Sequence, residues 1–293
     1  MKLESWHKSA MISTRKAVFA VTSCYLLPTC RFTVAAVTSS NPSAFLIPHS
    51  NRQIVSRTLR NMSSSTTSTS DAETSLPIAE NLSQVQERIK KAITSTNRAE
   101  GSVRLIAVSK TKPVELLQAA YDAGIRTFGE NYAQELITKA PAMPADCKFH
   151  FIGPLQSNKA APLVKSLGLD SLQCVETVCT LKLANKLNNA VSTLQEEGEG
   201  GGTKQLGIYL QVNTSGEESK SGLKNAQETV ELATKIQDSC PFLRIDGLMT
   251  IGAPGDYTCF DTLANCRLAV SESLGVEETS LELSMGELHI VIF

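Results

Sequence analysis

The stretch Leu105-Ile106-Ala107-Val108-Ser109-Lys110-Thr111-Lys112-Pro113 carries an almost continuous apolar run straight into a lysine and closes on a proline suited to a first helical turn. Successive strand residues face opposite ways, so Arg104, Ile106, Val108 and Lys110 share one face while Leu105, Ala107 and Ser109 share the other. After Pro113, Val114, Leu117 and Tyr121 fall on one side of a helix that Gly124 stops. The unit reads strand, lysine, helix, and the chain repeats its outline.

Short apolar runs predict further strands at about 125–128, 148–152, 171–175, 206–212, 244–250 and 280–284. Helical patterns lie between them at about 131–139, 157–167, 177–190, 223–238 and 257–274. Upstream, Leu82, Val85, Ile89 and Ile93 recur at helical spacing and predict an amphipathic opening helix. Strands alternating with helices imply a parallel sheet, and this many units point to an α/β fold of the (β/α)8 TIM-like barrel type. An open dinucleotide-binding sheet would want G-x-G-x-x-G after its first strand, and the sequence has none. The cluster Gly198–Gly202 reads as a surface insert.

In a barrel of this kind the C-terminal ends of the strands collect the chemistry, and Lys110 stands at such an end. Partial burial there favours the neutral, nucleophilic amine over the ammonium ion. A solvated lysine at a strand end is the plainer reading, and the residues of this one stretch leave both open.

Composition narrows the function further. Of 293 residues 42% are hydrophobic and 19% charged, and the formal net charge is −1. Residues 1–70 hold eight Lys or Arg and one acid, Glu4; the remainder holds twenty bases against twenty-eight acids. A mildly acidic body with 5% aromatic residues argues against nucleic-acid binding. The leader, acid-poor and rich in Ser, Thr and Arg, matches an organellar transit peptide; a leader without targeting value, or a later start at Met11 or Met62, is the alternative. A Ser/Thr-rich linker at 63–75 follows it, which divides the chain into a leader and linker at 1–77 and a folded body from 78. The targeting reading places the protein in a mitochondrion or plastid, and the other in the cytoplasm. The apolar piece Ala17–Leu27 is too short to span a bilayer, so no membrane span is expected. The eight cysteines form no C-x-x-C pair, and the four histidines lie far from any Cys pair with ligand spacing, so neither disulfides nor a metal site are expected.

Six stretches in order carry a resemblance: AVSKTKP, FGENYAQE (128–135), HFIGPLQSNK (150–159), QVNTSGEESKSG (211–222), GLMTIG (247–252) and LSMG (283–286). Together they resemble the successive signatures of the pyridoxal phosphate homeostasis protein family, whose barrel is similar to the alanine racemase N-terminal domain, known as fold-type III. The likeness runs from about 80 to 286 and implies that Lys110 holds pyridoxal 5′-phosphate as a Schiff base. It implies further cofactor contacts at the strand ends: Asn131, Asn213, Met249, Ser284, Met285 and Gly286, with Ser284 on the phosphate. It implies a carrier that contributes to control of free cofactor without catalytic turnover, with pyridoxal-phosphate-dependent apoenzymes as recipients. A racemase or related fold-type III enzyme is the alternative.

Each site residue also has a plainer reading: Asn131 as a helix cap, Met249 as packing, His150 as a satisfied half-buried residue, and Lys220 with Glu217 as a solvated loop. The resemblance covers seven strands and stops after Gly286, where the family continues into an eighth strand bearing an arginine and glycine for the phosphate. The barrel domain is accordingly expected at 78–286. Beyond it 287–293, ELHIVIF, is an apolar tail too close to the seventh strand to return as its parallel neighbour. The expectation is a barrel with open edges, as an alternatively spliced or mispredicted gene product would leave it.

Overall fold

A computed structural model of the chain describes residues 32–36, 70–197, 204–253 and 255–288. Eight parallel strands form a closed barrel in sequence order: β1 (Phe32–Ala36), β2 (Val103–Val108), β3 (Thr127–Glu130), β4 (Lys148–Phe151), β5 (Leu172–Val178), β6 (Leu206–Gln211), β7 (Leu243–Thr250) and β8 (Glu282–Leu288). Seven α-helices connect or precede them: α1 (Ser70–Ser95), α2 (Val114–Asp122), α3 (Ala133–Lys139), α4 (Ala160–Ser171), α5 (Leu181–Glu197), α6 (Ala226–Ser239) and α7 (Thr258–Leu274).

The period-two pattern sorts the strand residues into two layers. Outward-facing Ala107, Phe128, Phe149, Phe151, Val175, Ile208, Leu210, Leu248 and Leu283 join helix residues such as Leu117, Leu136, Leu163 and Leu187 in one continuous core. Burying each large side chain contributes about 1.5–3 kcal/mol, so this layer is the main source of stability. The opening stripe behaves as its spacing predicts, with Leu82 and Val85 buried and Ile89 packed against the same core.

Inward-facing residues are far more polar. Near the N-terminal ends of the strands Arg104 donates to the Tyr209 hydroxyl (3.1 Å) and the Glu282 carboxylate (2.5 Å). Cys174, Tyr209 and Met249 pack together within the barrel.

Two expectations fail, each for a physical reason. Strand β5 runs to Val178 and β8 to Leu288, beyond the ends expected near 175 and 284. The expected helix from 177 followed a strand expected to end at 175, yet Glu176, met inside the barrel by His150 and Ser284, continues β5 although it is charged. Open edges are the second failure. β1, from the stretch read as leader, pairs in parallel with β2 through Phe32↔Val103 to Ala36↔Ala107, and with β8 through Phe32↔Leu283 to Val34↔Met285. A strand from far upstream can close a parallel barrel because the chain between Ala36 and Val103 contains α1 and ample length for the crossover. Helix α1 also begins at Ser70, inside the expected linker, and continues through Pro77. The tail residues 289–293 lie outside the described residues, as does the cluster Gly198–Gly202.

Deleting residues 1–69 should leave β2 and β8 with unpaired edges. We expect aggregation on size-exclusion chromatography, or a melting temperature lower by about 5 °C or more, equivalent to roughly 2 kcal/mol for a domain of this size. Unchanged behaviour would show that β1 is dispensable.

Candidate functional site

Lys110 follows the last residues of β2 and is half-buried at the C-terminal mouth of the barrel. Its amine has no hydrogen-bond or ion-pair partner among the described residues. Two neighbouring lysines differ in this respect. Lys139 is buried and bonded to the Ser109 carbonyl (2.7 Å), Glu130 (2.8 Å) and Glu135 (2.6 Å). Lys220 donates to Glu217 (2.8 Å) and to the Gly252 carbonyl (2.7 Å).

Beside Lys110, the end of β3 meets the end of β4. Ile152 N–H donates to the Glu130 carbonyl (2.8 Å), and Gly153 lies so close to Asn131 that an added Cβ would stand 2.1 Å from the Asn131 carbonyl oxygen. Only glycine allows this approach. Thr177 on β5 fixes the same corner by donating to the Gly153 carbonyl (2.6 Å). Asn131 Oδ1 is buried there without a hydrogen-bond partner. Helix α3 starts at Ala133 with Tyr132 as its N-cap, so Asn131 does not cap it.

Deeper inside, His150 Nδ1 shares a 2.5 Å hydrogen bond with Glu176, and Ser284 Oγ donates to the other oxygen of that carboxylate (2.5 Å). All three are buried, and His150 Nε2 has no hydrogen-bond partner among the described residues. On the far side of the mouth Asn213 donates to the Glu217 (2.8 Å) and Lys220 (3.1 Å) carbonyls, closing its loop on itself. Thr214 and Thr250 share a hydrogen bond (2.8 Å) that ties this loop to β7.

An amine without a partner at the strand-end mouth of such a barrel is what an aldehyde cofactor requires, and the comparisons agree. The alanine racemase N-terminal domain family matches residues 80–281. The pyridoxal phosphate homeostasis protein of Mus musculus is 40% identical over 218 residues, covering 70% of this chain and 76% of that protein. The chain belongs to the pyridoxal phosphate homeostasis protein family. Among solved structures, an unknown protein from Bifidobacterium adolescentis is 29% identical with a TM-score of 0.60, covering 73% of this chain and 94% of that one. PipY of Synechococcus elongatus with pyridoxal phosphate bound is 24% identical, covers 73% of this chain and 99% of that chain, and has a TM-score of 0.52, which shows a shared fold.

The family's expected contacts fall unevenly on this structure. Lys110 and Asn131 stand together at the mouth with unengaged polar atoms. Asn213 donates into its own loop, and Met249 is buried against Cys174 and Tyr209, as its plainer reading expects. Ser284 Oγ donates to Glu176 (2.5 Å). Met285 is buried within β8 rather than beyond it, and Gly286 occupies the same strand at the register shift between Val34↔Met285 and Ala36↔Leu288.

His150 is fully buried rather than half-buried, and Lys220 with Glu217 fastens a loop rather than floating in solvent. Sequence reasoning missed Glu130, Lys139 and Glu176. Charged residues at 0%, 5% and 1% exposure within apolar surroundings are the signal that would have found them, and exposure is not written in a sequence.

Gly153→Ala should displace Asn131 or the β4 corner, costing about 1–3 kcal/mol in denaturant unfolding, the range for overpacking a filled site. A stability equal to wild type would show that this approach has slack.

Proposed function

We propose that the chain binds pyridoxal 5′-phosphate covalently through Lys110 and acts as a carrier that contributes to control of its free level. The observation that carries this is the half-buried amine of Lys110, held at the barrel mouth without a partner in a chain of this family. When bound, the cofactor supplies an aldehyde for the amine and a conjugated ring that withdraws electrons. Lys110 provides the nucleophile, and Asn131 offers an unpaired carbonyl oxygen beside it.

The racemase reading needs a second acid–base group on the opposite substrate face. The charged groups around the mouth, Glu130, Lys139, Glu217 and Lys220, are tied into ion pairs, which favours the carrier reading. Recipients of the cofactor would be apoenzymes that depend on it. The acidic body supports the proposal that nucleic acid is not a partner, and no described helix is long and apolar enough to cross a membrane. For location, the basic residues before Phe32 are proposed as an address for a mitochondrion or plastid. Cleavage before Phe32 would keep the closing strand, whereas cleavage after Ala36 would remove it.

Borohydride reduction of the loaded protein followed by peptide mass spectrometry should place the pyridoxyl adduct on Lys110. Lys110→Ala should abolish it and Lys112→Ala should largely retain it. An adduct on Lys112 in the wild type overturns the assignment. Steady multiple-turnover loss of optical activity from alanine or serine would establish the racemase reading instead.

A further inference from the structure

The lysine at the barrel mouth is carried on a turn that its own sequence does not favour. Lys112 N–H donates to the Ser109 carbonyl (3.1 Å), closing a four-residue turn over Ser109, Lys110, Thr111 and Lys112. Thr111, at its third position, has φ of +61°, a left-handed conformation that glycine fills easily and a β-branched residue resists. Something outside the turn must therefore hold it.

The holding contacts converge on Ser109, which is fully buried. Its N–H donates to the Gly129 carbonyl (2.9 Å) and its hydroxyl to Glu130 Oε1 (2.7 Å). Its carbonyl, the acceptor that closes the turn, also receives Lys139 Nζ at 2.7 Å. The three protons of that ammonium are matched by three acceptors: the Ser109 carbonyl, Glu130 Oε1 and Glu135 Oε1. Lys139 is 5% exposed and Glu130 0%, so these contacts are shielded from solvent. Burial raises the Glu130 carboxyl above its ordinary value, opposed by the hydrogen bonds from Lys139 and Ser109.

We propose that Lys139 is a positioning residue for Lys110: its ammonium, ion-paired with Glu130 and Glu135, clamps the Ser109 carbonyl and holds the strained turn that delivers the Lys110 amine to the mouth. Lys139 takes no cofactor itself, because its nitrogen is buried and fully engaged. Its consequence for cofactor attachment rests on the function proposed above, but the clamp itself can be tested without cofactor.

The first readout is hydrogen exchange of the Lys112 amide in the cofactor-free protein. Lys139→Met should speed it at least tenfold. Glu135→Gln, which leaves the Lys139–Glu130 pair neutral and serves if Lys139→Met fails to fold, should speed it about threefold. Thr111→Gly should restore slow exchange in either background, since glycine adopts the left-handed conformation unaided. A purely stabilising role for Lys139 predicts faster exchange of the barrel amides in common, with Thr111→Gly shifting them all alike rather than restoring the Lys112 amide alone. Unchanged Lys112 exchange in folded Lys139→Met, or in Glu135→Gln with that protein unfolded, overturns the proposal, as does failure of Thr111→Gly to restore it.

The second readout is the rate of pyridoxal 5′-phosphate attachment, followed by absorbance and by adduct mass after reduction. Lys139→Met should slow it tenfold or more relative to wild type, while Lys139→Met with Thr111→Gly should stay within threefold of Thr111→Gly alone. Absence of an adduct on Lys110 in the wild type would refute the carrier function, with the clamp then judged by exchange.

Discussion

A parallel barrel depends on pairing both edges of every strand, because each unpaired edge leaves a row of backbone N–H and C=O groups to be satisfied elsewhere. In this chain the last gap is filled by Phe32–Ala36, which lies between β2 and β8 and pairs with both. The arrangement makes a segment that resembles a targeting leader part of the fold. It also lets β8 run as a strand through Met285 and Gly286, residues that the family resemblance places among the cofactor contacts at a strand end.

The barrel separates two kinds of interior. Between strands and helices the packing is apolar and continuous, and it supplies most of the stability. Inside the strands the contacts are polar and specific: Arg104 with Tyr209 and Glu282 near one end, His150 with Glu176 and Ser284 further in. Such buried networks are costly when incomplete, so they fix side-chain directions more firmly than apolar packing does. Burial raises the Tyr209 phenol far above its ordinary value, which keeps it a neutral donor to Glu282.

The mouth combines rigid and available groups. Lys139, Glu130, Asn213 and Lys220 are engaged in holding loops and turns, whereas the Lys110 amine and Asn131 Oδ1 are not hydrogen-bonded among the described residues. A carrier needs this division. The scaffold must hold one nucleophile in place while leaving its nitrogen open to an aldehyde.

The amino-acid sequence by itself determined the order of β2–β8 and α1–α7 and the place of Lys110 at a strand end. Those features are local: an apolar run, a period of 2 or 3.6, a proline at a helix entry. It did not reveal β1, because Phe-Thr-Val-Ala-Ala is too short and too ordinary to stand out within an acid-poor leader, and a strand's partners are set by space rather than by sequence neighbourhood. It did not mark Glu176 as a strand residue, since a charge inside a strand is favourable only when His150 and Ser284 meet it there. Nor could it join Lys139 to the Ser109 carbonyl thirty residues away. Only the closed barrel decided that, by bringing the last turn of α3 over the end of β2 and excluding the water that would otherwise have solvated the ammonium.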